Sequence, residues 1–171
     1  MIRPPRAQDQ EEFLTCVRRS RRLHRPWVSP PSTPKAFQAF VAWTRRPSQA
    51  GFLVCLRATS EIVGVVHVSE IVRGCFQSAY LGYCVFSPHA RRGYMTEGLG
   101  LVLTRAFREM ALHRLEANIQ PANRASIELV RRLGFRKEGL SPRYLKIAGR
   151  WQDHERWAIL AEEWRPGGEP R

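Results

Sequence analysis

The sequence predicts an α/β (α+β) fold: one mixed, mostly antiparallel sheet of six or seven strands with about four helices. Two observations indicate this fold class. In the first half of the chain, short apolar runs rich in β-branched residues are separated by turn residues such as Thr59-Ser60, a pattern typical of hairpins. In the second half, strand-like and helix-like segments alternate, and this order places two strands parallel. Antiparallel hairpins should therefore flank a single parallel pair.

Four segments carry the apolar spacing of helices. They are Gln8 to Arg22, Thr33 to about Trp43, Gly93 to about Met110, and Asn123 to Leu133. Thr33 is of a residue type that caps helices, and Pro34 suits the first helical position. Gly134 suits the residue that follows a helix end.

Six segments fit strands. They are Phe52 to Leu56, Ile62 to Val68, Ala79 to Val85, Leu115 to Ile119, Arg136 to Lys146, and Trp151 to Leu160. The chain of 171 residues is long enough to bury one core. We expect residues 1–165 to form a single domain and the Gly/Pro-containing residues 166–171 to be a flexible tail.

The chain is strongly basic, with a formal net charge of +13. It has 25 arginines but only 3 lysines, and this ratio leaves two interpretations open. The charge can attract an anionic or RNA-associated partner, or it can reflect codon bias of the genome. The sequence carries no zinc finger, RNA-binding aromatic signature or readable helix-turn-helix.

The apolar runs are too short for a membrane span, and the N-terminus lacks the apolar core of a signal peptide. We therefore expect a cytoplasmic protein with no membrane partner. The four cysteines show no C-x-x-C spacing and no paired histidines, which predicts reduced thiols and no metal site.

The stretch Arg91-Arg92-Gly93-Tyr94-Met95-Thr96 begins the third helix. Free backbone N–H groups, the positive end of the helix dipole and two guanidinium groups would converge there, which favours an anion. A second cluster, Asn123-Arg124-Ala125-Ser126, follows about thirty residues later. Asn123 and Ser126 lie one helical turn apart and so share a face.

These two clusters, in this order, resemble the acyl-coenzyme A site of the GNAT acetyltransferase superfamily. Three further strings resemble its ribosomal-protein alanine N-acetyltransferase (RimJ/RimL-type) branch. They are Ile71-Val72-Arg73-Gly74, Tyr80-Leu81-Gly82-Tyr83 and Gly149-Arg150-Trp151-Gln152-Asp153-His154. The superfamily motif Q/R-x-x-G-x-G/A lies on residues 90–95, and both ends depart from it, with Ala90 first and Met95 last. Most pyrophosphate contacts in this motif are backbone N–H groups, which the departures leave intact.

The resemblance implies a GNAT fold in which strands Ala79–Val85 and Leu115–Ile119 splay apart and acetyl-CoA, as co-substrate, enters between them. Unpaired backbone groups of splayed strands can bond the amides of the pantetheine arm. The implied cofactor-binding residues are Cys84, Val85, Arg91, Arg92, Gly93, Tyr94, Met95, Thr96, Asn123 and Ser126. Backbone donors near Cys84 and Val85 would face the thioester carbonyl.

By the same resemblance, Ser126 is a candidate general acid that protonates the leaving thiolate. The general base remains unassigned, because a carboxylate used by a related enzyme falls on Leu145. Its candidates are Glu97, Glu70, His67, Asp153 and His154. Glu97 also suits the helix dipole, so its presence has a structural alternative.

We expect the acceptor to contact Trp27, Arg73, Tyr83 and Trp151. Trp27 lies between prolines and is either a lid over the site or a core residue. Arg73 either meets an acidic substrate or is solvated.

Three functions remain open on the sequence. The first is acetylation of a protein N-terminal α-amine by a monomer or dimer, with a ribosomal protein near RNA as the expected acceptor. The second is acetylation of a small amine such as an antibiotic or polyamine. The third is a non-catalytic ribosome- or nucleic-acid-binding module.

Overall fold

The computed structural model describes residues 1–166, and in this range seven strands form one sheet. The strands are β1 (Ile2–Arg3), β2 (Ala50–Cys55), β3 (Ile62–Val72), β4 (Ser78–Val85), β5 (Arg114–Ile119), β6 (Arg136–Ile147) and β7 (Arg150–Leu160). Their order across the sheet is β1-β2-β3-β4-β5-β7-β6. All but Pro166 of the expected tail lies outside the described residues.

Five α-helices lie within the same range. They are α1 (Gln10–Arg19), α2 (Arg21–His24), α3 (Pro34–Trp43), α4 (Tyr94–Arg108) and α5 (Arg124–Arg132). The predicted caps are present, since Thr33 Oγ1 accepts from the Ala36 amide at 3.2 Å and Asn123 Oδ1 from the Ser126 amide at 3.3 Å.

The predicted first helix, Gln8 to Arg22, is divided at Ser20 into α1 and the one-turn α2. The Ser20 hydroxyl donates to the Cys16 carbonyl at 2.7 Å and accepts from the Ser87 amide at 2.9 Å. This side-chain bond ties the helix break to the loop after β4. It is a long-range contact, and helical spacing alone does not indicate it.

The sheet is mostly antiparallel, and its parallel pair is β4 with β5, as the sequence predicts. The prediction of fold class is therefore confirmed. Strand β1, which the sequence analysis did not identify, has only two residues and pairs with β2 at the edge of the sheet. Two residues are too few to show strand alternation.

Helices pack on both faces of the sheet. On one face, α4 and α5 form a core with Leu115, Ala117 and Ile119 of β5. Because strand side chains alternate, the intervening Glu116 and Asn118 lie on the other face. There α1 and α3 build a second core, in which the rings of Phe13 and Phe37 are 4.8 Å apart.

No helix within residues 1–166 combines the length and the apolar character needed to cross a membrane.

Candidate active site

Strands β4 and β5 separate halfway along their length. Their pairing runs from Ser78 with Arg114 to Leu81 with Ala117, although β4 continues to Val85 and β5 to Ile119. Beyond Leu81 and Ala117 the facing edges are no longer joined by this ladder, and a cavity of about 90 Å³ lies in the opening. This is the splayed pair that the sequence analysis expected.

The loop before α4 has the conformation that an anion site requires. Gly93 precedes the helix in the left-handed region, with φ of 80°, and Arg91 and Arg92 are exposed beside it. The amides of Thr96 and Glu97 bond the Gly93 carbonyl, so the earlier amides of the helix start remain available to a ligand. A Cβ placed at Gly93 would meet no protein atom within 4 Å, which means that space for a ligand lies in front of it.

Three other residues of this loop are only partly available. Met95 is buried in the core, so it can offer a ligand its backbone but not its side chain. Tyr94 and Thr96 are half-buried. The departure of Met95 from the superfamily motif thus places a core side chain there and preserves the backbone of the helix start.

Tyr83 and Ser126 meet on the coenzyme side of the opening. Their hydroxyl oxygens are 2.7 Å apart, and either can be the donor. Burial raises the pKa of the Tyr83 phenol well above its usual value, and the hydrogen bond with Ser126 offsets this in part. Tyr83 is therefore neutral at pH 7, and the pair forms a hydroxyl relay in which protons can move. Tyr83, which is expected at the acceptor, lines the cavities on both sides.

A larger cavity of about 620 Å³ lies on the sheet face covered by α1 and α3. Aromatic rings dominate its lining: Phe13, Trp27, Phe40, Trp43, Tyr80 and Tyr144. It adjoins the smaller cavity in the opening, since Trp27, Tyr83 and Asn118 line both cavities. It lies on the sheet face opposite α4, α5 and the anion loop, and we call it the acceptor cavity.

Several polar side chains also line the acceptor cavity. The His67 ring stands over Gly82, where an added Cβ would come within 2.1 Å of its Nε2 atom. Burial lowers the pKa of His67 to about 4, so this imidazole is neutral at pH 7. Glu70, near the end of β3, accepts from Gln49 Nε2 at 3.4 Å. Burial also raises the pKa of the Cys84 thiol to about 12, which keeps it protonated.

The Trp27 loop is fixed to the end of β4 through His24. The His24 Nε2 atom lies 2.8 Å from the Val85 carbonyl oxygen. Because that oxygen can only accept a hydrogen bond, Nε2 carries the proton. Burial lowers the pKa of His24, consistent with a neutral ring. Trp27 is half-buried and lines both cavities, so it covers the junction between them.

Three predicted residues lie elsewhere. Arg73 donates to the Met110 carbonyl at 2.6 Å and lines neither cavity. Glu97 lines neither cavity but a groove of about 440 Å³ beside α4, which Gly93 and Thr96 also line. Trp151 is 60% exposed and lies opposite Lys146 in the β6–β7 pairing. The residues on either side of Lys146, Leu145 and Ile147, line the acceptor cavity. By strand alternation, Trp151 points away from the cavity.

Asn118 is a site residue that the sequence analysis did not identify. It lines both cavities, and its Oδ1 atom is buried without a hydrogen-bond partner in the described part of the chain. The available signal was its position in β5, where it alternates with apolar residues just past the end of the ladder. Within residues 1–166, no group of three or more His, Cys, Asp or Glu side chains is placed to hold a metal ion.

Comparison with known proteins agrees with this fold. A model of the acetyltransferase (GNAT) domain matches residues 1–136. The chain therefore belongs to the GNAT acetyltransferase family, as its motifs predict.

Two similar proteins belong to the RimJ branch. The [ribosomal protein uS5]-alanine N-acetyltransferase of Escherichia coli (strain K12) is 41% identical over 107 residues, which span 63% of this chain and only 55% of that protein. The structure of Mycobacterium smegmatis RimJ in complex with CoA-disulfide superposes with a TM-score of 0.86 at 29% identity, covering 95% of this chain and 82% of that one. The predicted resemblance to this branch is confirmed.

The fold is also shared with a polyamine enzyme. Spermidine N-acetyltransferase from Vibrio cholerae, in complex with CoA and spermine, has a TM-score of 0.81 at 20% identity over 95% of this chain and 96% of its own. At this identity the likeness concerns the fold alone.

We predict that Gly93→Val weakens acetyl-CoA binding at least tenfold, about 1.4 kcal/mol. The new side chain would fill the open space before the helix start and strain the left-handed backbone there. Isothermal calorimetry with acetyl-CoA measures the change.

Gly74→Val is the matched control. Gly74 also has a positive φ, 70°, and open surroundings, but it lies in the turn before β4, at the end remote from the opening. It should lose similar stability and keep its affinity. Unchanged affinity in a folded Gly93→Val protein would refute the assignment of this loop.

We also predict that Ser126→Ala lowers kcat by roughly 10²-fold, the low end for general acid catalysis. Alanine keeps the backbone amide that Asn123 caps, so the start of α5 should persist. Steady-state kinetics and the Kd of acetyl-CoA are measured together. An unchanged kcat would remove Ser126 from the chemistry, and a loss of affinity matching the loss of rate would make it a cofactor contact only.

Proposed function

We propose that this protein transfers the acetyl group of acetyl-CoA to the N-terminal α-amine of a protein substrate, one whose first residue is small. The observation that carries the proposal is the opening between β4 and β5, which joins an anion loop on one face to an aromatic cavity on the other. A donor and an acceptor can therefore approach from opposite faces and meet in a ternary complex. The similarity to a uS5-alanine N-acetyltransferase supports the choice of acceptor.

The residues present fit acetyl-CoA as the donor substrate. The backbone around Gly93, flanked by Arg91 and Arg92, would hold the pyrophosphate. The edges of β4 and β5 beyond Leu81 and Ala117, where the two strands no longer pair, would bond the amides of the pantetheine arm. A backbone donor near Cys84 or Val85 would stabilise negative charge developing on the thioester oxygen, typically worth ~3 kcal/mol.

The hydroxyl relay supplies the leaving group with a proton. Ser126 would donate to the coenzyme sulfur as the carbon–sulfur bond breaks, and the Tyr83 hydroxyl, 2.7 Å away, would orient it and replace its proton. Asn123 holds the helix start that positions Ser126. The chain thus offers an acid on the coenzyme side and an acceptor cavity on the other side.

The charge of the site favours a peptide over a polyamine. Among the described residues that line the acceptor cavity, Glu70 alone is acidic, and the chain as a whole carries +13. A polyamine with several ammonium groups would lose hydration without gaining matching carboxylates. A small neutral side chain next to an α-amine fits aromatic walls at lower electrostatic cost.

The positive surface favours an acidic or RNA-associated partner, of which a ribosomal protein is an example. Attraction of this kind weakens as salt rises, because exposed charges are screened over about 8–10 Å at moderate ionic strength. We therefore expect the acetylation rate of such a partner to fall with added salt.

We predict that peptides beginning with Ala or Ser are acetylated faster than an internal-lysine peptide or spermidine. An α-amine has a pKa of about 7.7–8.0 against ~10.4 for lysine, so at pH 7 far more of it is unprotonated and ready to attack. Thiol release from acetyl-CoA, measured with all acceptors side by side, gives the order of kcat/KM. If spermidine or the lysine peptide exceeds every N-terminal peptide, the acceptor assignment is wrong. If no acceptor releases thiol, the proposed activity is wrong.

A further inference from the structure

The junction of the two cavities is where the acetyl carbon and the attacking nitrogen must meet. Three side chains that can accept a hydrogen bond line both cavities: Tyr83, Asn118 and His154. Tyr83 is bonded to Ser126 on the coenzyme side. Asn118 and His154 therefore remain to serve the amine.

The His154 ring has a defined tautomer. It is only 3% exposed, and its Nδ1 atom lies 2.9 Å from the Gln152 carbonyl oxygen. Because a carbonyl only accepts, Nδ1 carries the proton, and in the neutral ring Nε2 holds a lone pair. In the described range, no protein group donates to that lone pair. A positioned imidazole with a free Nε2, on a side chain that lines the junction of the two cavities, has the features of a general base.

Asn118 provides a complementary acceptor. Its Oδ1 atom is buried and lacks a partner in residues 1–166. An amide oxygen left in this state is destabilising, so a ligand N–H that reaches it is favoured. Asn118 lies opposite Arg156 of β7 in the strand pairing. His154 is two residues before Arg156, so the two side chains lie on the same face of β7.

Resting on the proposed acetyl transfer to an amine, we propose that Asn118 Oδ1 binds an N–H of the acceptor amine and that His154 Nε2 takes its proton. The nitrogen lone pair forms the carbon–nitrogen bond as the carbon–sulfur bond breaks and its electron pair leaves with sulfur. One proton passes from nitrogen to His154, and one passes from Ser126 to sulfur. Exchange with solvent then removes the extra proton from His154 and, through Tyr83, returns a proton to Ser126.

The other candidate bases are placed less well. Glu70 and His67 line the acceptor cavity but not the opening, and Glu97 lines neither. Asp153 accepts from the Arg143 amide at 2.7 Å and lines neither cavity. With a pKa lowered to about 4, His67 is also a weak base.

The test compares His154→Asn with the unmodified protein. Asparagine can keep an N–H donor toward the Gln152 carbonyl while removing the base. We expect kcat on an N-terminal Ala peptide to fall by about 10²–10³-fold, with the Kd of acetyl-CoA changed less than twofold. His113→Asn is the matched control, because His113 is exposed and bonded to Glu162 at 3.3 Å, and it should keep the full rate.

The pH dependence of kcat separates a base from a structural residue. The profile is measured with two peptide acceptors whose amines differ in pKa. A limb that shifts between them comes from the acceptor amine, whereas a limb at the same pH with both acceptors comes from a protein group. We expect such a limb in the unmodified protein and its loss in His154→Asn. Other ionisable groups that line the same cavity could contribute limbs, and these would persist in the variant: His67, Glu70, Tyr80, Tyr83, Cys84 and Tyr144.

Asn118→Leu tests the second contact. We expect it to raise KM for the peptide at least tenfold and to leave the Kd of acetyl-CoA unchanged.

If His154→Asn does not fold, as judged by its thermal unfolding, His154→Gln replaces it with the same expected loss of kcat.

A His154 variant that keeps kcat within threefold, or keeps the acceptor-independent limb, would overturn the proposal. So would a loss of rate matched by an equal loss of acetyl-CoA affinity. If the unmodified protein acetylates no amine, the proposed function fails first, and this outcome is distinct from failure of the variant test.

Discussion

The separation of β4 and β5 after Leu81 and Ala117 is the constraint on which the rest of the site depends. A sheet leaves backbone N–H and C=O groups unpaired only where something else can satisfy them, since an unmatched buried group costs as much as a lost hydrogen bond. Here the neighbouring strands β3 and β7 hold the outer edges of the pair, so the gap stays open without unravelling the sheet. The opening also connects the two faces. One face carries α4, α5 and the anion loop, and the other carries the aromatic cavity, so the proposed donor and acceptor sites both depend on a single irregularity.

Much of this arrangement could be predicted from local sequence. Gly93 and its arginines mark a helix start, Thr33 and Asn123 mark caps, and the strand–helix–strand order marks the parallel pair. Each of these signals depends on residues that are close together in the chain. The same is true of the face shared by Asn123 and Ser126.

What could not be predicted depends on contacts across the fold. Ser20 breaks the first helix through a bond to Ser87, and His24 fixes the Trp27 loop to Val85, in both cases over more than sixty residues. The contact of Tyr83, a residue expected at the acceptor, with Ser126 spans forty-three residues. Arg73 was expected at the acceptor, but the Met110 carbonyl holds it elsewhere, and strand alternation directs Trp151 outward. Side-chain direction at a strand end is set by register, which the sequence leaves open until the partner strand is known.

The measurement that tests the central claim most directly is residue-resolved amide hydrogen exchange with and without acetyl-CoA. If the coenzyme completes the interrupted ladder, amides that face the opening between Gly82 and Val85, and at Asn118 and Ile119, should exchange more slowly when it is bound. Amides from Ser78 to Leu81, which lie along the closed part of the ladder, should change little. Protection confined to the groove beside Glu97, or equal exchange at the opening with and without coenzyme, would contradict the account.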